Sequence, residues 1–289
     1  KVYEPEQWPL FEVHVSLLPD GQDVVHLSLD EWVADAGSMS LLLRHWRQMY
    51  EGGAPPPVPA SSYRDFVRAV RAAEGSEAHE RDLSYWMEQL RGLPPGPALP
   101  RAAERPAQGR CFERVRLVDR LSPEQTRRLE ALAREARVSV TSLLLTVFAD
   151  FLGATSGDER FSLVLTMFNR TAALPDIDAI IGPFVSTSIF VREGRAQGPL
   201  AERAGAAQQQ LFGALDHASV SGIRALRALK GAGRLSRPLA LPVVFTSMLH
   251  SVGKQGEEGW FEAQRYGVTQ TPQVLLDHQP DGERRPGLL

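Results

Sequence analysis

The sequence predicts an α/β fold in two lobes with mixed sheets. Segments with the two-residue period of strands lie among segments with the period of helices, and two of the strands are close enough to form a hairpin. This order differs from the regular strand–helix alternation of a wholly parallel sheet. The chain has 289 residues, of which 43% are apolar. Its length and composition suit two lobes with a sizeable core.

The hairpin and three helices are predicted for the first lobe. Apolar and polar residues alternate over 11–17, Pro-Asp-Gly makes a turn, and 24–29 returns as a second strand. Ser38 is placed to cap a helix that continues to about residue 50. Two further helical patterns lie near 63–73 and 78–91.

A linker is predicted where periodicity is lost. Residues 92–110 carry five prolines and three glycines, a composition typical of a boundary between lobes. We therefore expect an N-terminal lobe over 1–95, a linker over 96–110 and most of a C-terminal lobe over 111–289. The starting residues lack a Met and the last ones are turn-like, so we expect truncation at both ends.

The second lobe begins with an alternating strand pattern over 112–118. Ser122, Pro123 and Gln125 then form the start of a helix, with a cap, a proline at the first position and a capping-box partner. A mostly apolar, buried helix is predicted over 140–152. Further strands are predicted at 161–168, 184–191, 240–248 and 273–276, and further helices between 199 and 215 and between 219 and 229.

Composition excludes several classes of function. The net charge of −3 indicates neither a nucleic-acid partner nor an anionic membrane surface, and no apolar run approaches the ~20 residues of a membrane helix. One cysteine, Cys111, allows no internal disulfide and favours a reducing, cytoplasmic setting. The seven histidines form no metal-binding helix pair, and neither a nucleotide-binding glycine pattern nor a Gly-x-Ser-x-Gly elbow occurs.

Four stretches place polar side chains at the ends of predicted strands. Taken singly, each has an ordinary structural explanation as a turn, a cap or strand propensity. Carboxylates at such positions can also serve as acid and base. The stretches are Asp30 to Ser38, Leu165 to Arg170, Pro242 to Ser247 and Gln270 to Gln279.

Together and in order, these stretches resemble the heterocyclization branch of the condensation-domain superfamily of nonribosomal peptide synthetases. That branch carries Asp-x-x-x-x-Asp-x-x-Ser in place of the His-His-x-x-x-Asp-Gly of ordinary condensation domains, and Asp30, Asp35 and Ser38 match it. Further matches are Trp8 to Glu12, Phe168 to Arg170, Gly182 to Phe184, Val243 to Ser247 and Gln270 to Gln279. The departures are Val185 in place of a usual Thr, and Glu31 and Trp32 in place of aliphatic residues.

The resemblance implies two chloramphenicol-acetyltransferase-like lobes in a V-shaped pseudo-dimer, with a tunnel between them. Upstream and downstream peptidyl carrier proteins would bring substrates on phosphopantetheine arms, beside an adjacent adenylation domain, and the domain itself would bind no cofactor, metal, nucleic acid or membrane. Its reaction would join the acyl donor to Cys, Ser or Thr and close a thiazoline or oxazoline ring.

The same resemblance implies roles for single residues. Asp277 and Thr246 would serve the dehydration, and Asn169 would assist by hydrogen bonding near the reacting carbonyl. We expect Asp35 to pair with Arg170 and tie one lobe to the other, and Asp30 to accept backbone N–H bonds in the turn. Ser38 is expected to cap the helix, with a contact in the tunnel as the alternative. Residues expected in the substrate tunnel are Ser247, Gln270 and Gln273.

Two alternatives stay open. A catalytically degenerate condensation-like domain could transfer a chain or recruit a partner enzyme, although the intact Thr246, Asp277 and Asn169 argue against it. A free-standing acyltransferase of the same superfamily would use a histidine base, and the stretch from Asp30 to Ser38 contains none.

Overall fold

A computed structural model describes residues 3–100, 115–170, 174–194, 196–235, 239–249, 267–269, 271 and 273–281. The chain divides into two compact units. The first contains the described residues up to Glu74 together with Phe168–Val185, and the second contains those of Gly75–Met167, Ser186–His250 and the C-terminal segment. The units interleave along the sequence, whereas the predicted lobes are continuous. Residues 101–110 of the predicted linker lie outside the described residues, and the lobe boundaries stay a prediction.

The first unit is built on a hairpin and two helices. Strands β1 (Phe11–Leu17) and β2 (Asp23–Leu29) pair antiparallel over their full length. Helices α1 (Ala36–Tyr50) and α2 (Tyr63–Ala73) follow. The core of this unit gathers apolar side chains from α2 and from a later segment that includes a short 3-10 helix, and its buried members are Phe66, Ile177, Ile180 and Phe184.

The second unit holds five helices among the described residues. They are α3 (Glu77–Gln89), α4 (Pro123–Glu135), α5 (Val140–Ser156), α6 (Leu200–Asp216) and α7 (Gly222–Gly231). The apolar α5 is the central one, because seven of its residues are buried and it packs against α6. The prediction of a buried helix here is confirmed.

A four-stranded sheet in the order β4-β3-β5-β6 supports the candidate site. Its strands are β3 (Phe161–Phe168), β4 (Val185–Arg192), β5 (Val243–Phe245) and β6 (Leu276–His278). The pairs β3–β5 and β5–β6 are parallel, whereas the β1–β2 hairpin is antiparallel. The predicted α/β class with mixed sheets is therefore confirmed.

Three predicted strands differ from the observed ones. Residues 115–118, the described part of the 112–118 strand, are not a strand, and Val115 and Leu117 are 76% and 90% exposed. None of the described strands pairs with this segment. The 240–248 strand shortens to β5, although Thr246 and Met248 N–H groups still bond to the His278 and Pro280 carbonyls at 2.9 Å. The strand predicted at 273–276 is observed slightly later in the chain, as β6.

The shift of β6 has a local cause. Gln273 has a φ of 70°, which belongs to the left-handed region and not to a strand. The chain therefore turns at Gln273, and pairing with β5 begins only at Leu276.

The described residues were compared with the requirements of a membrane-spanning helix and of a metal site. No single helix there combines the length and apolar character of a membrane span, while the bent pair Pro123–Glu135 and Val140–Ser156 meets both criteria by length and composition only. No group of three or more potential ligands among His, Cys, Asp and Glu is arranged to hold a metal ion in that part of the chain.

Candidate active site

The two aspartates of the Asp30 to Ser38 stretch have separate structural tasks. Asp30 accepts a hydrogen bond from the Trp32 backbone N–H at 2.9 Å, as expected for a turn residue. Asp35 is buried, and its carboxylate accepts backbone N–H bonds from Ser38 at 2.8 Å and from Phe184 at 3.1 Å. Both bonds stabilise the charged carboxylate in a place that excludes water.

The expected pairing of Asp35 with Arg170 is present. Arg170 Nη2 lies 3.5 Å from Asp35 Oδ1, and the arginine side chain is only 18% exposed. Arg170 Nη1 donates to the Ile177 and Ile180 carbonyls at 2.7 and 3.0 Å, and its guanidinium lies 4.2 Å from the centre of the Phe184 ring. All of these residues belong to the first compact unit.

The prediction that Ser38 caps α1 is wrong, because Asp35 holds the cap position. The helix starts at Ala36, so Ser38 lies within its first turn and is fully buried. Its hydroxyl donates to the Gly182 carbonyl at 2.8 Å and accepts from Gly182 N–H at 2.9 Å and from Arg170 Nη2 at 2.8 Å. One donor and two acceptors are the full capacity of a hydroxyl.

We call Asp35, Ser38, Arg170 and Gly182 the polar clasp. Gly182 has a steric role in it, because a Cβ at this position would collide with the Tyr63 ring. The Gly-x-Phe stretch thus supplies a residue that allows close approach, together with the Phe184 N–H that Asp35 holds. No role for this stretch followed from the sequence, although its glycine was a signal for a close approach.

The second candidate group lies at the carboxyl ends of parallel strands. Val164, Val244 and Asp277 are aligned in register across β3, β5 and β6. Thr246 lies two residues beyond Val244, so the alternation of side chains places it on the same face of the sheet as Asp277. Thr166 lies two residues beyond Val164 and reaches this face for the same reason.

The structure brings Thr246 and Asp277 together. Thr246 Oγ1 lies 3.5 Å from Asp277 Oδ1, which is longer than the about 2.8 Å that is usual between a hydroxyl and an oxygen acceptor. Such contacts are often long without substrate and shorten when it binds. Both side chains are half-buried. We call Thr246 and Asp277 the dyad.

Two neighbours of the dyad were missing from the predicted site. Thr166 Oγ1 lies 2.8 Å from Thr246 Oγ1, and Gln279 Nε2 donates to Asp277 Oδ2 at 2.5 Å. Gln279 follows Asp277 by two residues, so strand alternation could have placed it beside the carboxylate. Thr166 could not be found this way, because the pairing of β3 with β5 joins residues 80 positions apart.

The other predicted site residues are placed as follows. Asn169 belongs to the first unit, where its backbone N–H donates to the Phe184 carbonyl at 3.1 Å. Ser247 Oγ lies 2.9 Å from Thr141 Oγ1 at the start of α5. Gln273 is an exposed turn residue, and Gln270 lies outside the described residues.

The back of β6 is apolar. The His278 ring stacks on Phe148 with ring centres 4.4 Å apart and lies 5.6 Å from Phe245. Burial lowers the pKa of the His278 imidazole below its ordinary value, and the charge of Asp277 opposes part of that change. Asp277 therefore faces a polar group, whereas its neighbour His278 faces aromatic side chains.

The chain is similar to parts of known synthetases. A sequence model described as the condensation domain matches residues 2–272. Pyochelin synthetase PchF of Pseudomonas aeruginosa is 34% identical over 279 residues, which is 95% of this chain and 15% of PchF. Phenyloxazoline synthase MbtB of Mycobacterium tuberculosis is 34% identical over 281 residues, 93% of this chain and 19% of MbtB.

The chain is also similar to a solved structure. The cyclization-docking bidomain of the EpoB synthetase from Sorangium cellulosum matches with a TM-score of 0.83 and 34% identity, over 98% of this chain and 58% of that one. The chain belongs to the condensation-domain family. Its similarity to a cyclization domain confirms the expected place in the heterocyclization branch. The chain spans less than a fifth of the length of the two synthetases named above.

Proposed function

We propose that this domain condenses a carrier-bound acyl group with carrier-bound Cys, Ser or Thr and then cyclodehydrates the product to a thiazoline or oxazoline. The observation that carries the proposal is the dyad: a hydroxyl and a carboxylate, 3.5 Å apart, at the carboxyl ends of two parallel strands. Membership of the heterocyclization branch supports it.

The proposed reaction has three steps. The amine of the acceptor attacks the donor thioester, which forms an amide and releases a thiol. The side-chain thiol or hydroxyl of the acceptor then adds to the new amide carbonyl and makes a hydroxylated five-membered ring. Finally the ring hydroxyl leaves as water, and the ring nitrogen loses its proton as the C=N bond forms.

The steps place different demands on the protein. Amide formation from a thioester is downhill, so holding the two tethered groups in position contributes most of its acceleration. Dehydration has a poor leaving group, because hydroxide must depart, and it requires both a proton donor and a base. A titratable carboxyl beside a hydroxyl is suited to this second task.

We assign Asp277 to proton transfer in the dehydration and Thr246 to hydrogen bonding with that carboxylate or with the leaving oxygen. Asn169 is assigned to hydrogen bonding near the reacting carbonyl. Ser247, Gln270 and Gln273 are proposed to contact the substrates. The polar clasp takes no part in the chemistry, because its buried hydrogen-bonding groups are occupied with each other.

The partners belong to the proposal as well. Substrates would arrive as thioesters on the phosphopantetheine arms of an upstream and a downstream carrier protein, and an adjacent adenylation domain would select the acceptor. The domain needs no cofactor of its own for the three steps. A single cysteine is compatible with the reducing interior of a cell.

Replacement of Asp277 by Ala tests the central assignment. We expect the linear amide to accumulate on the downstream carrier protein while dehydration slows about 100-fold or more, in the range that a lost general acid–base group costs. Intact mass spectrometry distinguishes the species, because ring closure removes one water.

A matched control is Asp20→Ala, which removes a carboxylate from the exposed β1–β2 turn and should leave both rates unchanged. Ring formation at the wild-type rate in Asp277→Ala would refute the assignment. The degenerate-module alternative makes a different prediction, because in that case the wild-type protein would yield neither amide nor ring from loaded carriers.

A further inference from the structure

The Thr246 hydroxyl lies closer to Thr166 than to Asp277. Their oxygens lie 2.8 Å apart, which is an ordinary hydrogen-bond length, whereas Asp277 lies 3.5 Å from the same hydroxyl. Thr166 comes from β3 and Thr246 follows β5, so two neighbouring parallel strands hold the pair in place.

The hydrogen atoms of this group can be assigned by counting. Each threonine hydroxyl has one hydrogen to donate, and an ionised carboxylate only accepts. The arrangement with the best electrostatics turns the Thr246 hydrogen towards Asp277. The contact of 2.8 Å must then be donated by Thr166, and the chain of hydrogen bonds runs from Thr166 to Thr246 to Asp277.

The carboxylate is also held from its other side. Gln279 Nε2 donates to Asp277 Oδ2, and Oδ1 is the oxygen that faces Thr246. Gln279 therefore contacts one carboxylate oxygen and Thr246 faces the other.

We propose that Thr166 is a positioning residue for ring dehydration, which donates to Thr246 and thereby directs the Thr246 hydrogen towards Asp277. This inference rests on the proposed function of the dyad. A hydroxyl that accepts a hydrogen bond also becomes a stronger donor, so Thr166 both orients Thr246 and strengthens its bond to the carboxylate.

A structural role alone makes a different prediction. Threonine suits strands, and a cross-strand threonine pair stabilises a sheet slightly. If this were its only role, Thr166→Val would change stability and leave the relative rates of the steps unaltered. Positioning of the dyad instead predicts a selective effect on dehydration, because amide formation does not use the dyad.

The test uses the full-length protein and three variants. The donor carrier is loaded with a benzoyl thioester and the acceptor carrier with Cys, Ser or Thr in turn, and intact mass spectrometry follows linear and cyclised products in single turnovers. Thr166→Val removes the hydroxyl and keeps the shape, and Thr166→Ser keeps the hydroxyl. The control Thr187→Val removes a β4 hydroxyl that is buried without a hydrogen-bond partner among the described residues.

We expect Thr166→Val to slow dehydration about tenfold, the effect of one lost hydrogen bond, with amide formation within about twofold of wild type. Thr166→Ser should restore most of the rate, and Thr187→Val should match the wild type. The half-maximal pH that Asp277 gives the dehydration profile should move upwards in Thr166→Val, because a weaker Thr246 donor stabilises the Asp277 carboxylate less.

Several outcomes overturn the inference. Dehydration by Thr166→Val at the wild-type rate does so, and so does equal slowing in Thr166→Val and Thr166→Ser. If the valine variant does not fold, Thr166→Ala carries the same expectation. Failure of the inference alone leaves Asp277→Ala defective in ring closure, whereas failure of the proposed function leaves Asp277→Ala with normal ring closure.

Discussion

Adjacent residues of β6, Asp277 and His278, face opposite sides of the sheet. Asp277 joins the half-buried polar group around Thr246, while the His278 ring lies against Phe148 and Phe245. Because a strand alternates its side chains, one short segment can supply a carboxylate to a site and an aromatic ring to the core. Burial of the His278 ring disfavours its charged form.

A pH dependence of stability follows from His278. Its pKa in the folded protein lies below the ordinary value of 6.5, chiefly through burial. Below about pH 6.5 the unfolded chain binds a proton that the folded protein resists, so stability falls as the pH drops and levels off below the folded pKa. Urea unfolding between pH 8 and 5 should show a smaller loss for His278→Phe than for the wild type.

The difference between the wild-type and His278→Phe curves isolates the contribution of this ring. Asp277→Asn should enlarge the loss, because the charge of Asp277 raises the pKa of His278 and partly offsets burial. Parallel curves for wild type and His278→Phe would show that this ring contributes nothing to the dependence.

At the scale of elements, a local sequence signal sets the start of α4. The Ser122 hydroxyl accepts from Gln125 N–H at 3.2 Å, and the Gln125 side chain accepts from Ser122 N–H at 2.7 Å. Pro123 occupies the first helical position. This arrangement needs no distant partner, and the sequence therefore predicted it correctly.

Removal of the cap should have a modest and local effect. Ser122→Ala should lower the free energy of unfolding by about 1 kcal/mol, and Ser122→Gly by only a few tenths. Urea unfolding at constant pH measures both. An alanine variant as stable as the wild type would mean that the exposed α4 terminus frays independently of the cap.

The limits of local signals are equally clear at this scale. Ser38 has the residue type of a cap, but Asp35 takes that position and leaves Ser38 buried in the first turn. The Ser38 hydroxyl bonds instead to Gly182 and Arg170, which lie more than 130 residues away in the sequence. The alternating pattern over 115–118 similarly pairs with none of the strands in the described part of the chain.

At the scale of the whole chain, the polar clasp is a long-range contact. It joins the start of α1 to the segment after β3, and Asp35 and Phe184 are separated by 149 positions. Folding must close this large loop before the buried charges are paired, so the clasp exists only in the assembled unit.

Asp35→Ala should therefore destabilise the protein strongly. It leaves the Arg170 charge buried without its partner, and such a loss typically costs about 3–5 kcal/mol. Asp30→Ala is the matched control, since it removes one exposed hydrogen bond from the same turn and should cost about 1 kcal/mol. Chemical denaturation compares the two, and equal small losses would contradict a stabilising role of the clasp.

The sequence by itself determined the α/β class, the bounds of α2 and β3, the capping box of α4 and the presence of four polar stretches at strand ends. These features depend on neighbours within a few residues or on the period of apolar side chains. Only the tertiary structure decided that the Ser38 hydroxyl meets Gly182 and Arg170, that Gly182 makes room for Tyr63, and that Thr166 meets Thr246. Each of these depends on contacts between segments far apart in the chain, whose register and approach are set by packing and leave no local pattern.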